Sequence, residues 1–291
     1  MGCLWEIGAF RVAAVVLVFV GAGAALAAAP PKPAEPALLS APRPSTPAPL
    51  HSADADAATY QRCMTLARDD PAAARTLAQH WHDRGGAHPA EHCFAVALIG
   101  LKQYTEAASR LDKLAQAMVR APAALRAEVL DQGAQAWLLA GDPARAYDAD
   151  SAALSLRPND PDLLVDRAEA AGSAGWFAKA VADLDPVLKA HPSRLDALIY
   201  RASAYRAQGH LAPALADIDA ALKQAPDSVA ALLERGNIQR LRGNADSARS
   251  DWDRVAALAP GSAAATAAKA NIERLAIPEG APSQPKPKAA R

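Results

Sequence analysis

Two periods of hydrophobic and polar positions run through this chain. The short one is helical. In residues 127–262, small or apolar side chains recur at places 4 and 8 and again at 20 and 24 of each segment, a spacing that puts both members of a pair on one helix face. The long period is 34 residues: Leu130, Leu164, Leu198 and Leu232 share the fourth place, Ala134, Ala168, Ala202 and Gly236 the eighth, and Ala146, Ala180, Ala214 and Ala248 the twentieth. Leu184, Ile218 and Trp252 hold the twenty-fourth. Gly141, Gly175, Gly209 and Gly243 punctuate the chain at the same interval, as do Pro158, Pro192, Pro226 and Pro260. Helical runs broken by glycine and proline at this period predict two helices per segment, stacked into a solenoid.

Each segment reads alike. Asp160-Pro161, Ser193 with Asp196, and Asp227 or Ser228 are expected helix starts, where a side-chain oxygen accepts a free backbone N–H. The glycine ends the first helix in a left-handed turn, and the proline stops the second. Small residues at places 8 and 20 let the two helices approach closely, and the large residue at place 24 fills the gap between successive units. Asp150 breaks this rule, so the second helix of its segment is expected to be loosely packed or shifted.

Around the regular block, 127–160, 161–194, 195–228 and 229–262, the pattern weakens. Running the phase backwards places two divergent units at 55–126, about 55–87 and 88–126, the second lengthened around Met118 to Pro122. Ala265, Ala268, Ile272 and Leu275 continue helical spacing beyond the block and predict a capping helix at 263–276, with Lys269, Glu273 and Arg274 facing water. Residues 277–291 are a Pro/Ala/Lys tail, and 30–54 a Pro/Ala-rich linker. Residues 1–29 form a targeting segment: Arg11, the apolar run Val12 to Val20, and Ala25-Leu26-Ala27 before a cleavage site. Export to the periplasm of a Gram-negative envelope follows; the alternative is an uncleaved inner-membrane anchor facing the periplasm, and either way the membrane is met only through this segment.

Composition narrows the function. The 31 basic and 31 acidic side chains balance, which removes the electrostatic case for nucleic acid. Loss of Cys3 with the targeting segment leaves Cys63 and Cys93, an even pair in an exported protein and a predicted disulfide. His88, Glu91 and His92 spell the H-x-x-E-H of inverted zinc peptidases. Gly85-Gly86 and Pro89 put His88 at a helix start, so the spelling is read as accidental and no metal or other cofactor is assigned. Arg167, Arg201 and Arg235 recur at place 7, with Asp183, Asp217 and Asp251 at 23 and Asp185, Asp219 and Asp253 at 25. Repeated opposite charges on neighbouring helices predict a ladder of ion pairs.

These residues resemble the tetratricopeptide repeat family over about residues 55–276. Gly236, Ala248, Trp252 and Pro260 match its pattern in the last unit, and Tyr205, Ala214 and Pro226 in the one before. The resemblance implies an all-α, right-handed superhelical solenoid of antiparallel helix pairs, about six units plus the capping helix. It also implies a concave face lined by first helices at places such as 5, 9, 12 and 13. There stand Gln135, Leu138, Glu169, Arg206, Asn237 and Arg240, alongside Asp131, Val165 and Leu233. The carboxylate-clamping members carry Lys and Asn at places 5 and 9; only Asn237 fits, so that specialisation is rejected. The function expected is a non-enzymatic scaffold of the cell envelope that binds a protein or peptide segment on the concave face. The alternatives are a self-assembling or accessory part of an envelope machine, a metal-binding module and a cell-wall-ligand module.

Overall fold

The computed structural model describes residues 53–275; the expected targeting segment, nearly all of the expected linker and the expected tail lie outside them. Helices pair in chain order. The first three pairs are α1 (Ala53–Asp69) with α2 (Pro71–His82), α3 (Ala87–Gly100) with α4 (Tyr104–Ala117), and α5 (Ala123–Leu139) with α6 (Pro143–Leu156). Then come α7 (Pro161–Ser173) with α8 (Phe177–Ala190), α9 (Leu195–Ala207) with α10 (Leu211–Gln224), and α11 (Val229–Leu241) with α12 (Ala245–Leu258). A single helix, α13 (Ala263–Leu275), closes the stack, and the described residues contain no strand. Each helix packs mainly on its neighbours in sequence, as a solenoid requires. Among the described residues no helix is long and apolar enough to cross a membrane.

The repeated punctuation has its expected physical effect. Gly141, Gly175, Gly209 and Gly243 stand just past α5, α7, α9 and α11 with φ of 79°, 78°, 79° and 83°, a conformation strained for any residue with a Cβ. Helix starts follow side-chain chemistry: Asp160 accepts N–H bonds from Asp162 and Leu163, and Ser228 from Ala231. Ser193 departs from its expected role. α9 begins after Arg194, which makes no side-chain cap and instead pairs with Asp162 and Asp196 at 2.8 and 2.9 Å. The extra residues before the regular block form the turn at 118–122 and a longer α5, because Met118 and Leu125 anchor both into the core beside Leu111 and Leu114.

The core lies between the two helix layers. Ala134, Ala168, Ala202 and Gly236 are buried, and so are Ala146, Ala180, Ala214 and Ala248. Leu184, Ile218 and Trp252 have no exposed surface at all. Gly236 is needed where Trp252 is the large partner, since a Cβ on it would lie 2.4 Å from the indole Nε1. The expectation for Asp150 is overturned: α6 has the same 14 residues as α8, α10 and α12, and Asp150 is 0% exposed. The small residues around it keep the backbone in register, and the carboxyl goes where a leucine would. Cys63 of α1 and Cys93 of α3 form the predicted disulfide, with Cα atoms 6.1 Å apart.

Candidate functional site

First helices α5, α7, α9, α11 and α13 contact one another in sequence and form one continuous face. Its charges are not mixed at random. Towards α5 and α7 the groups are acidic: Asp131, Asp166 and Glu169, over the buried Asp150. Towards α13 stand Arg206, Arg240 and Arg274, spaced by 34 residues and so repeated on α9, α11 and α13.

The sequence-predicted residues divide between these two stretches. Gln135 is half-buried and donates to Asp131 at 3.2 Å. Leu138 is half-buried against the core around Trp137. Glu169 accepts from the Tyr200 hydroxyl, and burial pushes its carboxyl up to about 7, opposed by that hydrogen bond and reinforced by Asp196. Arg206 and Asn237 lie deeper than a groove lining would. Arg206 is 7% exposed and its Nε donates to Glu234 at 2.5 Å; Asn237, 5% exposed, donates to Glu234 and accepts from Asn271 at 3.0 Å. Arg274 then donates to Asn271 at 2.6 Å, so a polar network ties α9, α11 and α13 together. Arg240 alone of the six is exposed, and its guanidinium is shifted down by desolvation and by the positive charges of Arg274 and Arg206. Val165 and Leu233, also expected on the lining, are core at 2% and 0% exposure.

Several participants were not singled out from sequence. Asn271 and Arg274 fall at places 9 and 12, in the register of the residues chosen, and the 34-residue recurrence of the three arginines was the available signal; Tyr200 and Glu234 stand at place 6, one place off it. The acidic stretch had one signal, the aspartate at a leucine position.

Other constellations are occupied by internal contacts. Arg167, Arg201 and Arg235 each grip the aspartate 16 residues on with two nitrogens, at 2.6–2.9 Å. Arg201 also reaches Asp185 of the preceding unit at 2.9 Å. Glu91 pairs with Arg110 at 2.8 Å, and His88 is exposed. His92 is buried with both ring nitrogens engaged: Nε2–H donates to Gln132 at 2.7 Å and Nδ1 accepts from Tyr60 at 2.8 Å. Burial holds its pKa down, against the Gln132 bond, which keeps the ring neutral. Among the described residues no group of three His, Cys, Asp or Glu could hold a metal ion.

The repeated helix pairs with glycine-ended first helices and a closing helix define a tetratricopeptide-repeat solenoid. Solved structures of that architecture match the chain. A tetratricopeptide repeat protein from Parabacteroides merdae ATCC 43184 superposes with a TM-score of 0.63 at 13% identity, over 75% of this chain and 86% of that one. PilF of Pseudomonas aeruginosa gives 0.56 at 16% identity, over 75% and 98%. TTC0263, a thermophilic repeat protein of Thermus thermophilus, gives 0.51 at 16%, over 65% and 98%. At such identities the likeness is one of fold. No protein-family model and no curated protein sequence matches the chain.

Proposed function

We propose that this protein is a non-enzymatic scaffold that binds another polypeptide along its first-helix face, in the periplasm of a Gram-negative envelope. The observation that carries the reading is the polarity of that face, acidic at α5 and α7 and positive at the exposed Arg240 of α11 and Arg274 of α13. A rigid array of unlike charges favours an extended or helical segment laid in one direction, and it loses little ordering entropy on its own side. Export is supported by the Cys63–Cys93 disulfide, a bond that persists in oxidising compartments.

The reading is tested by a photo-crosslinking side chain placed at Gln135, at Arg240 or, as a control, at the exposed Lys189 of α8. The same partner should be captured in intact cells from the first two positions and not from the third. Capture from Lys189 alone, or none from the face, would sink the assignment. Osmotic-shock fractionation with mass measurement tests the compartment: a cytosolic protein with both thiols free would rule out export.

A further inference from the structure

Asp150 occupies the register that Leu184, Ile218 and Trp252 fill in the other regular units, and like them it is 0% exposed. Neither carboxylate oxygen has a hydrogen-bond partner. Its surroundings do not neutralise it. The charged groups facing it are Asp131 from α5 and Asp166 and Glu169 from α7, all acidic, and Arg167, whose donors go to Asp183 and Ser151. From α9, Tyr200 and Asp196 face Glu169. A buried carboxyl without a donor disfavours the folded state relative to an apolar side chain, so this unit is less stable than a leucine there would make it. A need for negative charge at this place when a cationic side chain docks would account for that.

We propose that the α5–α7 stretch of the face receives a lysine or arginine side chain of the bound polypeptide, with Asp131, Asp166 and Glu169 at its rim and Asp150 beneath. This rests on the polypeptide-binding reading above. A metal is the poorer occupant, because no three of the described His, Cys, Asp or Glu are placed to ligate one. An ammonium or guanidinium on a flexible stem needs no such coordination and attracts carboxylates over several ångströms. In the free protein burial and the neighbouring carboxylates raise the Asp150 pKa well above its ordinary value, and burial pushes Glu169 up to about 7. The incoming cation favours the ionised forms, so each carboxylic O–H that ionises releases its proton to solvent as the ion pair forms. Binding therefore tightens as pH rises towards and through 7 and releases protons.

The experiment uses the full-length mature protein and three labelled probes: a short alanine-lysine peptide, the same peptide with norleucine for lysine, and the same with glutamate. Anisotropy should show the lysine peptide binding at least ten-fold more tightly than either analogue, with affinity rising from pH 5.5 to 8. Titration calorimetry in buffers of different ionisation enthalpy should show proton release. Asp150→Leu should raise the melting temperature yet weaken the lysine peptide at least ten-fold, and the isosteric Asp150→Asn should weaken it without relying on repacking. Equal binding of lysine and norleucine peptides overturns the proposal, as does binding unchanged in both Asp150 variants or no binding of any probe. If the photo-crosslinks at Gln135 and Arg240 still form in those cases, the scaffold reading stands and only the cation site falls; if they vanish, both fall.

Discussion

Gly236 and Trp252 show how a single atom decides a repeat. Two other regular units combine alanine at place 8 with a branched aliphatic residue at place 24, Ala168 with Leu184 and Ala202 with Ile218. Gly236→Ala should gain about 1 kcal/mol of helix propensity, but the new methyl meets a fully buried indole whose Nε1–H donates to Leu233. Overpacking of this kind costs about 1–3 kcal/mol, so urea denaturation should show a net loss. Trp252→Leu should cost less stability in the Gly236→Ala background than in the parent; plain additivity of the two changes would refute the steric account. Asp150 and Glu169 make the second residue-scale prediction. Both carboxyls have pKa values raised in the folded state, so the folded chain binds more protons than the unfolded one above the ordinary carboxylate range. Glu169's contribution is fully present below pH about 4.5, its ordinary value, and is lost as pH rises through about 7, up to about 3 kcal/mol; Asp150 acts in the same direction, starting from its lower ordinary value of 3.8. Unfolding midpoints at pH 5 and pH 8 should differ in that sense, and Asp150→Leu with Glu169→Gln should flatten the profile. A midpoint that rises with pH would contradict the burial of these groups as ionisable acids.

Between elements, the arginine ladder is stronger than the repeat pattern alone promised. The side chains of Asp183, Asp217 and Asp251 are only 9%, 11% and 8% exposed, and each accepts two nitrogens from one guanidinium. A solvent-exposed pair contributes at most about 1 kcal/mol; partial burial makes loss of one partner costlier, because the other charge is left in a poorly solvated place. Arg201 joins two units, holding Asp217 at 2.8 Å and Asp185 at 2.9 Å, whereas Arg235 holds Asp251 closely and Asp219 only at 3.8 Å. Arg201→Met should therefore cost about 2 kcal/mol and Arg235→Met less, within the limits set by exposed and buried pairs. Thermal unfolding by circular dichroism checks the ranking, and the opposite order would break the argument from inter-unit bridging. The ladder is absent from the unit that contains Asp150, which has Gly133 and Ala149 at the ladder places 7 and 23.

For the whole molecule, coupling runs through neighbours. The Cys63–Cys93 bond ties α1 to α3 and closes a loop with a sequence separation of 30, worth about 3–4 kcal/mol in the chain-entropy account. His92 adds a second tie, bridging Tyr60 of α1 and Gln132 of α5. Because contacts in a solenoid pass only to adjacent units, reduction or Cys63→Ser/Cys93→Ser should strip hydrogen-exchange protection from α1 to α4 first. Helices α7 to α12 should keep theirs. Uniform loss along the chain would mean that the stack unfolds as one cooperative block.

The sequence by itself determined the period, and with it the helices, their glycine ends, the ladder partners and the place of the closing helix. All of these depend on contacts a fixed number of residues apart. Setting Cys3 aside with the expected targeting segment left one pairing, Cys63 with Cys93, and the structure shows it. Depth was decided by the tertiary structure. Arg206 and Asn237 occupy groove places in the repeat, yet packing of α11 on α9 and of α13 on α11 carries them into a buried network with Glu234 and Asn271. Arg240, one repeat on from Arg206, stays in solvent. Asp150 looked from its place like a flaw that would loosen a helix; only the convergence of α5, α6 and α7 made it a fully enclosed acid beneath a charged face. Register is a property of the chain, but burial and the field around a charge are sums over neighbours from several helices, and those sums exist only once the stack has formed.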